Sequence, residues 1–248
     1  MRKSIVVVLA LFFLVGFSLT HMALSGSAQN NQKEEVIPIQ EGPMTEKQKE
    51  HSKLYENYSI LLGHRRLRDR LASTPGDIVT TIGPHERSGS TDQSISNNIL
   101  QDLACRANAV VIVTPKSRSS HLTENEDFIF TDYEMTVQEV LKDNAVAHIQ
   151  PNNDITMSRP GGTIQLNGHS VKAIDVSFQP FQGGKRYLLF LSFIPTTGAY
   201  KSISTTGSFQ LGNKVIPLTT ESLLAGKNFG DSSSFVSDVQ TAVANTCR

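Results

Sequence analysis

Ala109-Val-Val-Ile-Val-Thr114 and, further on, Phe128-Ile-Phe-Thr-Asp-Tyr-Glu-Met-Thr-Val-Gln-Glu-Val-Leu-Lys142 decide how this chain is read. The first run is short, β-branched and almost unbroken, the pattern of a strand buried on both faces. The second alternates. Ile129, Tyr133, Met135 and Val137 share one parity, and Asp132, Glu134 and Gln138 take the other, so one face meets a core. Val140 and Leu141 break the alternation, which predicts a bulge near Glu139. The interval 118–127 between the runs reads as a polar connection.

Strand signals continue toward the C-terminus. Residues 155–159 form one, stopped by Pro160-Gly161-Gly162. Residues 163–166 and 170–173 flank Asn167-Gly168, whose tolerance of positive φ predicts a type I′ hairpin. Residues 186–194 carry Tyr-Leu-Leu-Phe-Leu, a buried strand. Residues 200–204 and 208–211 read as a hairpin around Thr206-Gly207, and Val215-Ile216-Pro217 closes the series. Short strands at close spacing predict an antiparallel barrel or sandwich, with Val111, Val113, Tyr133, Met135, Val137, Leu189 and Leu191 in its core.

Helices flank this region. Thr45-Glu46-Lys47-Gln48 fits a capping box, and Leu54, Tyr58, Leu61, Leu62, Leu67 and Leu71 follow at helical spacing. That stripe is narrow, so residues 45–72 are expected to be helical and weakly coupled to the strands. The far end, His64, Arg65, Arg66, Arg68 and Arg70, suits a helix C-terminus, where the macrodipole favours cations; a docking surface for an anionic partner is the rival reading. Pro75-Gly76 stops it, 77–82 is a short strand, and 83–93 a loop. Ile95, Ile99 and Leu103 predict a helix ending near Cys105. A short helix at 219–225 and a C-terminal one from Ser233 complete the chain.

The first residues give an address. Arg2 and Lys3 precede an apolar run over 5–19, and Gly26-Ser27-Ala28 follows. That is the layout of a secretory signal, cleaved after Ala28 or after Ser25. An uncleaved anchor is the competing reading, set against a run shorter than the ~20 residues of a spanning helix. The expected organisation is a signal at 1–28, a flexible linker at 29–44, a helix and loop extension at 45–93, a β-barrel domain with its leading helix at 94–217, and a C-terminal helical segment at 218–248.

Composition narrows the function. Basic and acidic residues balance at 23 each, so nothing global favours nucleic acid or an acidic lipid surface. Loss of Arg2 and Lys3 with a signal leaves a slightly acidic chain. Trp is absent. No second apolar run is long enough to span a membrane, so the mature protein is expected to be soluble outside the cytoplasm, periplasmic or extracellular.

The two Cys, Cys105 and Cys247, are expected to form a disulfide in an oxidising compartment. Phe235, Val239, Val243 and Cys247 recur every four residues, which carries Cys247 along an inward stripe. Two separate thiols and an intermolecular bridge through Cys247 are the rival readings.

The strings at 109–114, 133–142 and Gly183-Gly-Lys-Arg-Tyr-Leu-Leu-Phe-Leu191 resemble uncharacterised exported bacterial proteins with a barrel similar to the netrin/tissue-inhibitor-of-metalloproteinase module, an OB-fold variant. The resemblance covers roughly 105–217. It implies a mainly β fold with flanking α: an antiparallel OB/netrin-like barrel plus N-terminal and C-terminal helices. The inhibitors' free N-terminal Cys has no counterpart, because Cys105 is internal, so metalloprotease inhibition is not implied.

Chemical motifs are sparse. Gly183-Gly184-Lys185-Arg186 lacks the first Gly and the Ser/Thr of a phosphate loop, and reads as a turn. There is no Gly-x-Ser-x-Gly, His-Glu-x-x-His or Cys-x-x-Cys. His121, His148 and His169 are expected to be exposed on β-connections without metal partners. Glu124, Glu126, Asp127 and Asp132 lack the calcium-loop register and read as a solvated hairpin tip. No catalytic, cofactor-binding or metal residues are expected. The function expected is a non-enzymatic binding or envelope-associated module with a protein partner. The alternative is a secreted or periplasmic hydrolase whose site is assembled from loop residues.

Overall fold

A computed structural model describes residues 36–56, Leu67, Asp69, 76–82, 99–204, 206–220, Leu224 and 229–245. The fold is mainly β, with mixed sheets and three described helices: α1 (Glu46–Leu54), α2 (Ile99–Arg106) and α3 (Ser232–Ala244). The strands are β1 (Ile78–Ile82), β2 (Ala109–Leu122), β3 (Ile129–Lys142), β4 (Asp154–Pro160), β5 (Gly162–Leu166), β6 (His169–Asp175), β7 (Arg186–Ile194), β8 (Ala199–Ser202), β9 (Ser208–Leu211) and β10 (Ile216–Pro217). One sheet runs β10-β9-β7-β2-β3-β4-β8, and a smaller one runs β1-β6-β5. β8 pairs both with β4, in parallel, and with β7, antiparallel. Pairing therefore returns on itself through β7, β2, β3, β4 and β8.

The two decisive strands behave as their patterns require. Ala109, Val111 and Val113 of β2 pack with Tyr133, Met135 and Val137 of β3 and with Tyr187, Leu189 and Leu191 of β7. All seven residues expected in the core lie in this cluster. The opposite parity, Val110, Ile112, Leu188 and Phe190, packs against Leu103 of α2 and Phe235 and Val239 of α3. Both β2 and β7 are thus covered on both faces. The expected irregularity is present. The β2–β3 register passes from Ile112↔Glu139 to Val113↔Val137, leaving Gln138 as the extra residue of a bulge. Asn167 and Gly168 take φ of 52° and 82°, the two positive values of a type I′ turn.

Four expectations are corrected. First, 118–122 is not a connection, because β2 continues to Leu122. Its polar alternate residues, Ser117, Ser119 and His121, are buried, and buried polarity looks like a loop in sequence. Second, the described part of the expected linker is tied down. Ile37 is buried, Gln40 donates its backbone N–H to Arg118 O, and Arg118 N–H donates to Pro38 O. Third, β8 and β9 do not pair with each other. They share one edge of β7, β9 along 186–189 and β8 along 191–194. Fourth, α1 is not loosely coupled. Its capping box forms at Thr45 and Gln48 as expected, but His51 and Ser52 are buried, and Tyr55 stacks on Phe128 and Phe130.

The continuation expected at 58–71 lies outside the described residues, apart from Leu67, which is helical and buried, and Asp69. The signal at 1–28, the loop at 83–93 and Cys247 also lie outside them. So does most of the short helix expected at 219–225; its first residue, Thr219, bridges Phe178 instead.

Candidate functional site

A β-strand turns alternate side chains to opposite faces. With Tyr133 and Met135 directed into the core, Asp132 and Glu134 must face outward. The register aligns Ser119 of β2, Asp132 of β3 and Ser158 of β4 side by side. Ser117 lies opposite Glu134, and His121 opposite Phe130. This polar outer face is covered by residues 37–55, which run across it as a strap. Beside the apolar contacts of Ile37 and Tyr55, the strap makes a series of polar ones. Gln40 Nε2 donates to Ser117 Oγ at 3.0 Å, and Ser117 Oγ donates to Glu134 Oε2 at 2.9 Å. Gln48 Nε2 donates to Ser119 Oγ, Tyr55 Oη to Ser158 Oγ, and the backbone N–H of Glu124 to Ser52 Oγ.

The centre of the strap is His51, 1% exposed. Its Nδ1 lies 2.7 Å from Asp132 Oδ2, and its Nε2 lies 2.8 Å from Thr197 Oγ1 in the β7–β8 turn. With the proton on Nδ1, His51 donates to Asp132 and accepts from the Thr197 hydroxyl, which itself accepts from the Ala199 N–H at 3.3 Å. Three segments far apart in sequence are thereby joined through one imidazole.

Next to it, His121 is buried on β2 with no partner at Nε2, and Asp132 Oδ1 is unpartnered. Burial holds the His121 imidazole below its usual pKa, opposed in part by the charge of Asp132. At one end of the core, Arg159 pairs with Asp175 Oδ2 at 3.1 Å and lies over the Phe178 ring. Burial lowers its pKa to about 10.

Carboxylate, imidazole and hydroxyl in sequence is the order of a nucleophilic relay. Two features argue against turnover here. The imidazole is sealed from solvent. The N–H groups at the hydroxyl are also spent: Thr197 and Gly198 both donate to Ile194 O, and Ala199 donates to Thr197 Oγ1. Acyl transfer needs such donors free, to meet a developing oxyanion. The arrangement instead suits a buried tie between the strap, β3 and the β7–β8 turn.

The residues singled out in sequence scatter. His148 is exposed beside Asp143, and His169 is exposed, both as expected. His121 is buried, contrary to expectation, because β2 extends beneath the strap. The acidic group divides: Glu124 and Glu126 sit on the exposed β2–β3 turn, whereas Asp127 and Asp132 are buried. Gly184, with φ of 66°, turns the chain into β7, so Gly183-Gly184-Lys185-Arg186 is a turn. Cys105 lies in the last turn of α2.

Sequence reading missed His51 and Thr197. His51 is one of seven scattered His, and Thr197 lies 146 residues from it, so no local signal joins them. Among the described residues, no three His, Cys, Asp or Glu are grouped to hold a metal ion, and no helix is long and apolar enough to cross a membrane. No model of a known protein family matches the chain, and no curated protein matches it.

Proposed function

We propose that this chain is an exported, non-enzymatic binding or envelope-associated module, built on an OB/netrin-like barrel and recognising a protein partner. The barrel reading is supported by the order in which the five ring strands pair. Numbered along the chain they are β2, β3, β4, β7 and β8, and the ring runs first, second, third, fifth, fourth and back to first. The third and fifth strands meet in parallel. A five-stranded Greek-key barrel of OB type has this order. Export rests on Arg2, Lys3, the apolar run at 5–19 and Gly26-Ser27-Ala28, with cleavage after Ala28.

The observation that carries the non-enzymatic reading is the sealed Asp132–His51–Thr197 tie with its spent N–H groups. A fold alone fixes no activity, and the described titratable groups that do meet are used to hold the chain together. The ring interior is lined by Met135, Met157, Leu189 and their neighbours, which favours recognition through the outer surface. Cross-linking the exported protein in its native envelope, followed by mass spectrometry, tests the reading. A partner captured in constant ratio to this chain supports it; recovery of the chain alone, with substrate turnover in the same fraction, opposes it.

The second reading, a secreted or periplasmic hydrolase, is favoured by one observation: the relay order of Asp132, His51 and Thr197. It requires the strap to lift so that substrate and solvent reach Thr197.

A further inference from the structure

The strap is held down differently from the strands beneath it. β2 and β3 share a ladder from Val110↔Lys142 to Leu122↔Ile129. Residues 37–55 are anchored by one β-bridge, Ile39↔Arg118, and by the side chains of Gln40, Gln48, His51 and Tyr55. Their helix α1 has nine residues, too few to persist in water without the surface it lies on. Opening free energies differ from one part of a protein to another, and a segment anchored in this way belongs at the low end.

Beneath the strap, Asp132 serves two imidazoles. His51 comes down on it from α1, with Nδ1 at 2.7 Å from Oδ2. His121 approaches from β2. It stands opposite Phe130, which makes it a diagonal neighbour of Asp132, at roughly 7–8 Å. All three residues are buried. His121 Nε2 and Asp132 Oδ1 both lack a hydrogen-bond partner, so the closed strap does not join these two atoms.

The other charged groups around the site are engaged elsewhere or exposed. On α1, Glu46 pairs with Lys49 and Glu50 with Lys53. On β3, Glu134 accepts from Ser117 and meets Lys116. The β2–β3 turn carries Glu124 and Glu126, both exposed, and Asp127, which is buried. On β4, Ser158 presents a hydroxyl, and Arg159, of the opposite parity, pairs with Asp175. The β7–β8 turn presents the Thr197 hydroxyl. Asp132 is the charge that opposes the burial of His121.

One carboxylate balances one imidazolium. A second imidazolium under the strap would be a buried charge without a counter-charge, which is costly. With the strap lifted, both rings meet water, where an imidazole takes its proton near pH ~6.5. Below that pH the lifted state binds more protons than the closed one, so acid favours lifting. Burial holds His121 below its usual pKa in the closed state, as this requires.

We infer that residues 37–55 are an acid-released latch: protonation of both imidazoles beside Asp132 lifts the strap from β2 and β3 while the ring of strands stays folded. Lifting uncovers Ser117, Ser119, Asp132 and Ser158. It also frees the Arg118 N–H and C=O, which Pro38 and Gln40 hold in the closed state.

Backbone amide exchange of the full chain, followed by NMR and corrected for the intrinsic effect of pH on exchange, tests the inference. From about pH 7.5 to about pH 5.5, protection of amides 49–55 should fall several-fold, up to about the tenfold that one extra proton allows. The Arg118 amide should follow them, because Pro38 holds it. Amides 187–191 of β7 should keep their protection. His121→Phe, and His121→Gln as a polar replacement, leave one imidazole to one carboxylate, so strap protection should be nearly equal at the two pH values. Unchanged strap protection in the wild type overturns the inference. So does loss of β7 protection in step with the strap, which is global unfolding, or a folded His121 variant that loses strap protection as the wild type does.

Discussion

His51 Nδ1 stands 2.7 Å from Asp132 Oδ2, both residues are buried, and 81 residues of chain separate them. This contact pins the strap to the outer face of β3. On its other side the same ring reaches Thr197. Removing one partner of a buried hydrogen bond to a carboxylate leaves the other group unsatisfied in a poorly solvated site, at a cost of about 1–3 kcal/mol or more. His51→Ala is therefore expected to lower the denaturant midpoint sharply, by about that order of stability. Asp132→Asn keeps a carbonyl acceptor for Nδ1–H and should cost less. In a double-mutant cycle with His51→Ala and Asp132→Ala, the losses should fall well short of additive. Additive losses would mean that the two side chains do not act as a pair.

The neighbouring imidazole predicts a pH effect. His121 in the folded protein has a lowered pKa, first because it is buried, with Asp132 opposing the shift. The unfolded chain therefore takes up a proton below about pH 6.5 while the folded chain does not. Stability is full above that pH and declines as pH falls toward the depressed folded value, where the loss levels off. His121→Phe removes the group at a site already beside Phe130. Its stability curve should be flatter between neutral pH and mild acid. An unchanged slope would assign the effect to other groups.

The core parity predicts a third outcome. Met135 is fully buried in the ring interior. Met135→Asp puts a carboxylate with no partner there, and a loss of several kcal/mol is expected, measured as the shift in the urea midpoint. No shift would place that side chain on the wrong face.

The strands were legible because their signals are local. Residues 109–114 and 129–137 carry hydrophobic patterns that the core requires, and Asn167-Gly168 carries its own turn chemistry. α1 announced its start through Thr45 and Gln48. What could not be read was long-range. Ser117, Ser119 and His121 look like loop residues until a strap supplies their partners, so in sequence the second half of β2 reads as a connection. His51 gives no hint of Asp132 or Thr197, because a single buried imidazole has no spacing rule. The pairing of β8 and β9 with β7, and not with each other, is likewise decided by the ring and not by the turn at Thr206-Gly207.

The termini supply a further prediction. We propose that Cys105 and Cys247 form a disulfide joining the end of α2 to the segment after α3. Support comes from the packing of these two helices in one apolar cluster and from Gln101 Nε2, which donates to Asn245 O at 3.2 Å. The closed loop is long, so the bond stabilises by up to about 5 kcal/mol in chain-entropy terms. The intact mass of the exported protein should correspond to a chain that begins at Gln29 and has two hydrogen atoms fewer than the reduced form, their electrons taken by the oxidising compartment. Two free thiols, or a dimer that reduction dissolves, would exclude the intramolecular bond. Met1 retained in a membrane fraction would exclude cleavage.

We propose that Asp132, His51 and Thr197 hold the molecule together and perform no turnover. Incubation of the folded, exported protein with a fluorophosphonate probe, followed by peptide mass spectrometry, tests it most directly. No adduct is expected on Thr197, either in the wild type or in His51→Ala. Stoichiometric labelling of Thr197 that disappears with His51→Ala would contradict it and establish the hydrolase reading instead.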